Sequence, residues 1–343
     1  MKNYPDQAIC GFGANVLSRY MSALRQEVTG VNRGEDIEAI HRMRVASRRM
    51  RSALSLFETC FAPKYRNLWR NEIRQVTRAL GQARDTDVQI DFLQHFLATL
   101  QESRSRPGIN RIILRLRQKR ARLQVNVINA LNELEKSHAL DSLEEQTKTW
   151  IVERTAGEPI NFSLYNLANK AILEHLQAFL GFEKYISNPE AVAELHAMRI
   201  AAKQLRYTLE IFSTLYADEL KIPIQTVRTA QEKLGDIHDC DTWASLIPEF
   251  LEKERQRIIR FYGHAGFYNM LLPGIASFQQ DRLQARSLAY LAFLETWEKW
   301  KENDLWNKLI QTIQLPTRLN PGQEFYPSAP PALLNTETGL FSQ

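Results

Sequence analysis

His41-Arg42-Met43-Arg44-Val45-Ala46-Ser47-Arg48-Arg49-Met50-Arg51-Ser52-Ala53-Leu54-Ser55-Leu56-Phe57 returns, 155 residues later, as His196-Ala197-Met198-Arg199-Ile200-Ala201-Ala202-Lys203-Gln204-Leu205-Arg206-Tyr207-Thr208-Leu209-Glu210-Ile211-Phe212. A second block follows at an offset of 154: Arg74 with Arg228, Leu80-Gly81 with Leu234-Gly235, Asp85 with Asp239, and Asp87 with Asp241. Two blocks in the same order at nearly one offset mark a duplicated unit, joined near Gly157–Pro159.

At about 100° per residue, His41, Arg44, Arg48 and Arg51 fall within about 80° of one another on a helix. Met43, Ala46, Met50, Leu54 and Phe57 take the opposite side, where an amphipathic helix meets its core. Arg42 and Arg49 lie on neither face and are expected against solvent or a neighbouring helix. In the second copy His196, Arg199, Lys203 and Arg206 form the matching row. Beyond Pro107-Gly108 the design recurs: Arg111, Arg115, Lys119 and Arg122 line one face, with Ile112, Leu116, Leu123, Val127 and Leu134 beside them. Arg282 and Arg286 are a thinner counterpart. Almost no acid stands three or four residues from these cations, so each row repels itself unless a polyanion neutralises it.

The charge is distributed accordingly. Residues 1–150 hold 25 Lys and Arg against 16 Asp and Glu, and residues 151–343 hold 19 against 23, so a net of +9 and a net of −4 make the total of +5. No acid occurs between Glu102 and Glu133, and Arg, the better bidentate partner of phosphate oxygens, dominates that stretch. A polyanionic partner follows.

Periodicity near 3.6 residues predicts an all-α chain with helices over 8–29, 35–59, 64–80, 86–103, 109–135, 139–154, 163–184, 189–218, 222–235, 241–260, 276–302 and 304–313. Glycines and prolines, Gly81 and Gly235 among them, are expected to end them. The domains so read are 1–157 and 158–313, two antiparallel bundles, followed by a tail over 314–343 that carries five of the 13 prolines. No apolar run approaches the roughly 18 residues of a membrane span, and the N-terminus lacks the apolar core of a secretory signal. A cytoplasmic protein with no membrane partner is expected. Cys10, Cys60 and Cys240, odd in number and far apart, argue for a reducing compartment and against a disulfide framework or a thiolate zinc site.

In these blocks the chain resembles the CHAD family, the conserved histidine α-helical domain. IHRMRVASRRMRSALSLF and LHAMRIAAKQLRYTLEIF are similar to its two characteristic helices, and LGQARDTDV and LGDIHDCDT to its second motif. The resemblance spans about residues 8–313. It implies two pseudo-symmetric helical bundles facing each other across a basic central pore that binds inorganic polyphosphate, and association with polyphosphate granules. The contacting positions it implies are His41, Arg44, Arg48 and Arg51, then His196, Arg199, Lys203 and Arg206, with Arg74 and Arg228 as a third basic position. Gln204, where Arg or Lys is common, and His238, where the first copy has Arg84, depart from the pattern and thin the charge of the second half.

Two other readings compete. Asp85, Asp87, Asp239 and Asp241 with His41, His196 and His238 are the raw material of a divalent-metal phosphohydrolase. We expect those carboxylates instead to open helices as caps, with Thr86 and Gln89 as a capping box, or to hold a row Arg in its rotamer. No Gly-rich phosphate loop is present, and Glu133-Leu134-Glu135-Lys136 has the wrong spacing for the Glu-x-Glu-x-Lys strand of a triphosphate tunnel. A binding protein without cofactor, metal or catalysis is expected. Nucleic acid fits the basic helices, but no aromatics are interleaved with the rows and no zinc-finger or RRM pattern occurs. The two row histidines, ordinarily titrating near about 6.5, are expected to make binding stronger at low pH.

Overall fold

The computed structural model describes residues 6–34, 36–151 and 162–318, and among them every regular element is helical. The first half contributes α1 (Gln7–Gln26), α2 (Val28–Arg33), α3 (Ile37–Leu56), α4 (Pro63–Thr99), α5 (Arg106–Lys136) and α6 (Ala139–Lys148). The second contributes α7 (Phe162–Leu180), α8 (Val192–Phe212), α9 (Lys221–Tyr262), α10 (Gly266–Asn269), α11 (Leu272–Glu302) and α12 (Leu305–Arg318). Local chemistry sets several starts. The Asp6 carboxylate accepts from the Ala8 and Ile9 amides at 2.9 and 3.1 Å, and Asp36 accepts from Glu38 at 2.8 Å. Pro63, Pro107 and Pro273 stand in first turns, where no amide hydrogen is needed.

Met43, Ala46, Met50, Leu54 and Phe57 are all buried, as the wheel requires. Arg42 and Arg49 reach neighbouring helices: Arg42 pairs with Glu27 at 2.7 Å, and Arg49 pairs with Glu210 of α8 at 2.8 Å.

Four expectations are corrected. First, α4 and α9 run unbroken through Gly81 and Gly235. A lone glycine costs a helix only about 1 kcal/mol, too little to end one whose flanks, such as Val76, Leu80 and Ala83, are buried. Second, Asp85, Asp87, Asp239 and Asp241 therefore sit inside helices and cap nothing, and Thr86 donates to the Gln82 carbonyl within α4 rather than joining a capping box. Third, Cys10 and Cys60 form a disulfide, because α1 lies against the turn Glu58–Cys60 and brings the two Cα atoms to 5.3 Å. Cys240 remains a buried thiol. Fourth, α12 continues to Arg318, past the expected start of the tail. The rest of the tail and the join near Gly157–Pro159 lie outside the described residues.

Both halves pack in the same order. α3 lies between α1 and α4, and α4 against α5; α8 lies between α7 and α9, and α9 against α11. Across the halves, equivalents meet: α1 with α7, α3 with α8, α5 with α11. Phe57 and Phe212, counterparts in the repeat, approach each other with ring centroids 6.1 Å apart. The two Pro-Gly starts, of α5 and α11, interlock: a Cβ on Gly108 would stand 2.2 Å from the Leu271 carbonyl, and one on Gly274 1.8 Å from that of Ser105. Only glycine permits that reciprocal contact.

The apolar interior has two parts. A main core draws on α1, α3, α7 and α8 and on one end of the long helices; a smaller one, including Leu93, Ile109, Trp243, Ile258 and Phe278, occupies their other end. All four long helices change from one core to the other at one level. There the residues turn charged, at 84–87 of α4, 115–120 of α5, 238–241 of α9 and 281–286 of α11. That charged belt positions the site.

Candidate anion-binding site

The helical register that buries Met43 and Met50 on α3 turns Arg44 and Arg48 toward α8, whose own buried face turns Arg199 and Lys203 back toward them. Arg48 and Arg199 both act on Arg44, and Arg44, Arg48 and Arg199 all act on Lys203. Cations from the two copies of the repeat thus form one cluster. Among the described residues, Arg48, Arg199 and Lys203 have no carboxylate within ion-pairing distance. Arg44 reaches Asp85 at 3.2 Å, but Asp85 is 67% exposed, so water screens that pair.

The same atoms are left without hydrogen-bond partners in both copies: His41 Nδ1 with His196 Nδ1, and Arg44 Nε with Arg199 Nε. Buried polar groups rarely go unpaired, so a matched set in equivalent positions marks a place where acceptors belong. Gly81 and Gly235 lie beneath the two guanidiniums. A Cβ on Gly81 would stand 3.8 Å from Arg44 Nε, and one on Gly235 would stand 3.4 Å from Arg199 Nε. These motif glycines give the arginines a flat helix surface to lie on.

Burial and like charge act together on the cluster. Burial, then the neighbouring arginines, pushes Lys203 down to about 7. His41 and His196 are also lowered, chiefly by burial and then by nearby arginines. His238, stacked on His196 with ring centroids 4.1 Å apart, is pushed down to about 4 by burial and by Arg199. Asp239 is raised by burial although Arg199 opposes the shift. The lowered Lys203 and histidines report a site too positive and too dry for its own cations, and the raised Asp239 reports its dryness.

Other residues named from sequence have different surroundings. Arg51 and Arg74 are exposed and interact with each other beside Arg48. Arg206 stands 3.6 Å from Glu210, and Arg228 pairs with Glu232 at 2.9 Å. Arg115 grips Glu254 with two bonds of 2.8 Å, and Arg111 reaches the same carboxylate at 3.3 Å. Lys119 and Arg122 are exposed on α5. Arg282 pairs with Asp281 and lies over the Phe92 ring at 4.3 Å; Arg286 pairs with Asp241 and donates to the Pro189 carbonyl at 2.8 Å. Contrary to expectation, the second-copy row and Arg228 do have local acids: Glu210 and Glu232 stand four residues from Arg206 and Arg228 on the same helices, and Asp281 adjoins Arg282. Glu254 and Asp241, by contrast, arrive from another helix. Asp87 likewise holds Arg120 at 2.7 Å.

Tyr207 was missed. It is buried and lies beside both Arg44 and Arg199. Its position falls only about 20° from His196 on the wheel, so the register that found the row contains it. Among the described residues, no group of three or more His, Cys, Asp or Glu is arranged to hold a metal ion, and no helix is long and apolar enough to cross a membrane.

Comparison with known proteins adds the following. The family model for the CHAD domain matches residues 15–248. An uncharacterized protein of Mycobacterium tuberculosis (strain CDC 1551 / Oshkosh), MT2285, is 26% identical over 223 residues, covering 60% of this chain and 39% of that protein. The chain therefore spans about two fifths of the length of the curated relative it matches. The crystal structure of the CHAD domain from the plant Ricinus communis superposes with a TM-score of 0.57 at 21% identity, covering 81% of this chain and 92% of that one. PptA from Streptomyces chartreusis gives 0.50 at 15% identity, covering 85% and 98%.

Proposed function

The chain belongs to the CHAD family, and from that premise we propose that it binds inorganic polyphosphate in a basic pore between its two halves, which an approximate two-fold axis relates. One observation carries the reading: Arg48, Arg199 and Lys203, half-buried and without carboxylate partners, converge with Arg44 from α3 and α8. A self-repelling cluster on rigid helices is costly to the free protein and favourable to a flexible polyanion. Polyphosphate has a charge on nearly every unit and no base edges, so it needs fixed, spaced cations rather than a particular hydrogen-bond pattern. His41 and His196 donate at the ends of the rows. Arg51 and Arg74 extend the track outward, and the protein acts by binding, without catalysis. Association with polyphosphate granules would follow from that affinity.

The test is competition. Long-chain polyphosphate and a DNA duplex are titrated against the full chain at several salt concentrations. Polyphosphate should bind more tightly, with log affinity falling linearly against log salt as counterions are released. A duplex that binds as well, or a polyphosphate affinity indifferent to salt, would overturn the reading.

A further inference from the structure

The far end of the second half, where α9, α10 and α11 meet, carries apolar side chains that nothing among the described residues covers. Phe261 is 80% exposed, Met270 57%, and Tyr262 and Phe267 are close to half exposed. Tyr262 packs at a tilt against Phe267, ring centroids 4.5 Å apart, and edge-on against Phe261 at 4.8 Å, so the three aromatics form one cluster. Grouped exposed aromatics mark an interaction surface far more often than scattered ones do.

The fold does not need them. In the first half the connection between α4 and α5 is equivalent, and it turns through Gln101, Glu102, Ser103 and Arg104. Both connections bring their following helix to the same interlocked contact, Gly108 against Leu271 and Gly274 against Ser105. One does so with polar residues and the other with aromatics, so the aromatics answer some other demand.

The charge around them says what kind. From Glu254 to Asp281 the sequence contains no acid, while Arg255, Arg257 and Arg260 lead into the aromatic cluster. Arg257 is engaged by Glu254, but Arg255 and Arg260 are exposed and have no acidic partner among the described residues. Aromatic and aliphatic side chains at the end of a helical hairpin, preceded by free arginines, match an interface that is apolar beneath and negative above. A second copy meeting this face about a two-fold would set the same arginines against each other. The cluster also projects from a hairpin end rather than lining a groove, which suits a deformable surface.

We propose that this hairpin end docks peripherally on an anionic phospholipid surface, with Phe261, Phe267 and Met270 entering the headgroup layer and Arg255 and Arg260 pairing with lipid phosphates. This surface is separate from the polyphosphate site and does not depend on it.

Co-sedimentation of the full chain with extruded vesicles tests it, using phosphatidylcholine alone and phosphatidylcholine with phosphatidylserine in equal parts. The wild type should pellet with the anionic vesicles at low salt and be released by high salt. Phe261→Ser with Phe267→Ser, and separately Arg255→Gln with Arg260→Gln, should each weaken partitioning by about tenfold or more. Both pairs should keep the wild-type melting curve and polyphosphate affinity, whereas Arg44→Ala with Arg199→Ala should still bind vesicles. A wild type that stays in the supernatant with both vesicles, or that pellets equally when either hairpin pair is changed, overturns the proposal. So does a chain that ignores vesicles but is a dimer that the Phe pair makes monomeric, which would assign the face to a second copy.

Discussion

Lys203 shows how a single residue records what the site lacks. Its ammonium faces Arg44, Arg48 and Arg199, which outweigh the opposing carboxylates of Asp85 and Asp239, and with burial they push it down to about 7. Unfolded, it would hold its proton to about 10.4. Between these values the unfolded chain binds more protons, so this group makes the free protein more stable as pH rises from about 7 to 10 and less stable below. Lys203→Met should therefore raise the melting temperature at pH 7 while weakening polyphosphate binding. Bound phosphate reverses the preference, because it favours the ammonium. Binding above pH 7 should take up a proton, and affinity should weaken by up to about tenfold per pH unit there. Lys203→Arg should keep the affinity and flatten that dependence. An arginine variant with the wild-type pH profile would show that another group titrates. The row histidines, expected from sequence to set the pH response, are held below their ordinary value by burial and by the arginines beside them. That moves their titration away from neutrality.

At the scale of the helix, periodicity was enough to find the rows but not their partners. A wheel says which residues share a face, so the buried side of α3 and the basic row opposite it were legible from His41 to Phe57. It does not say which other helix that face meets. Asp87 and Arg120 are 33 residues apart and Glu254 and Arg115 are 139 apart, which is why α5 looked free of acids and is not. The same limit misplaced the aspartates: read as helix openers after Gly81 and Gly235, they lie within unbroken helices, where Asp85, Asp87 and Asp241 hold Arg44, Arg120 and Arg286. Glu254 gives the prediction for this scale. It is fully buried, and Arg111, Arg115 and Arg257 all reach it. Glu254→Gln should cost about 3 kcal/mol, because it breaks a buried ion cluster while leaving the arginines partly able to reach water. Chemical denaturation should show that loss with polyphosphate affinity intact; a stable variant that no longer binds would place Glu254 in the site instead.

Across the whole molecule, the duplication was visible in the sequence because two motif blocks kept their spacing. Contacts between the halves were not, since nothing local announces that Phe57 meets Phe212 or that one Pro-Gly start locks into the other. The Cys10–Cys60 bridge belongs to the same class, because it depends on where α1 lies rather than on cysteine spacing. It closes a loop of 50 residues, so Cys10→Ser with Cys60→Ser should lower stability by about 4 kcal/mol on chain-entropy grounds. Reducing agent should produce the same drop in the wild type and none in the variant. The central claim, however, is that cations from both copies of the repeat form one site, and calorimetric titration of long-chain polyphosphate into Arg44→Ala, Arg199→Ala and the double variant tests it most directly. Each charge-assisted contact is worth about 1.5–3 kcal/mol. Each single change should then lower affinity by about tenfold or more, and the double change by considerably more, with melting temperature unchanged or higher. A double variant that stays folded and binds polyphosphate as the wild type does would contradict the account.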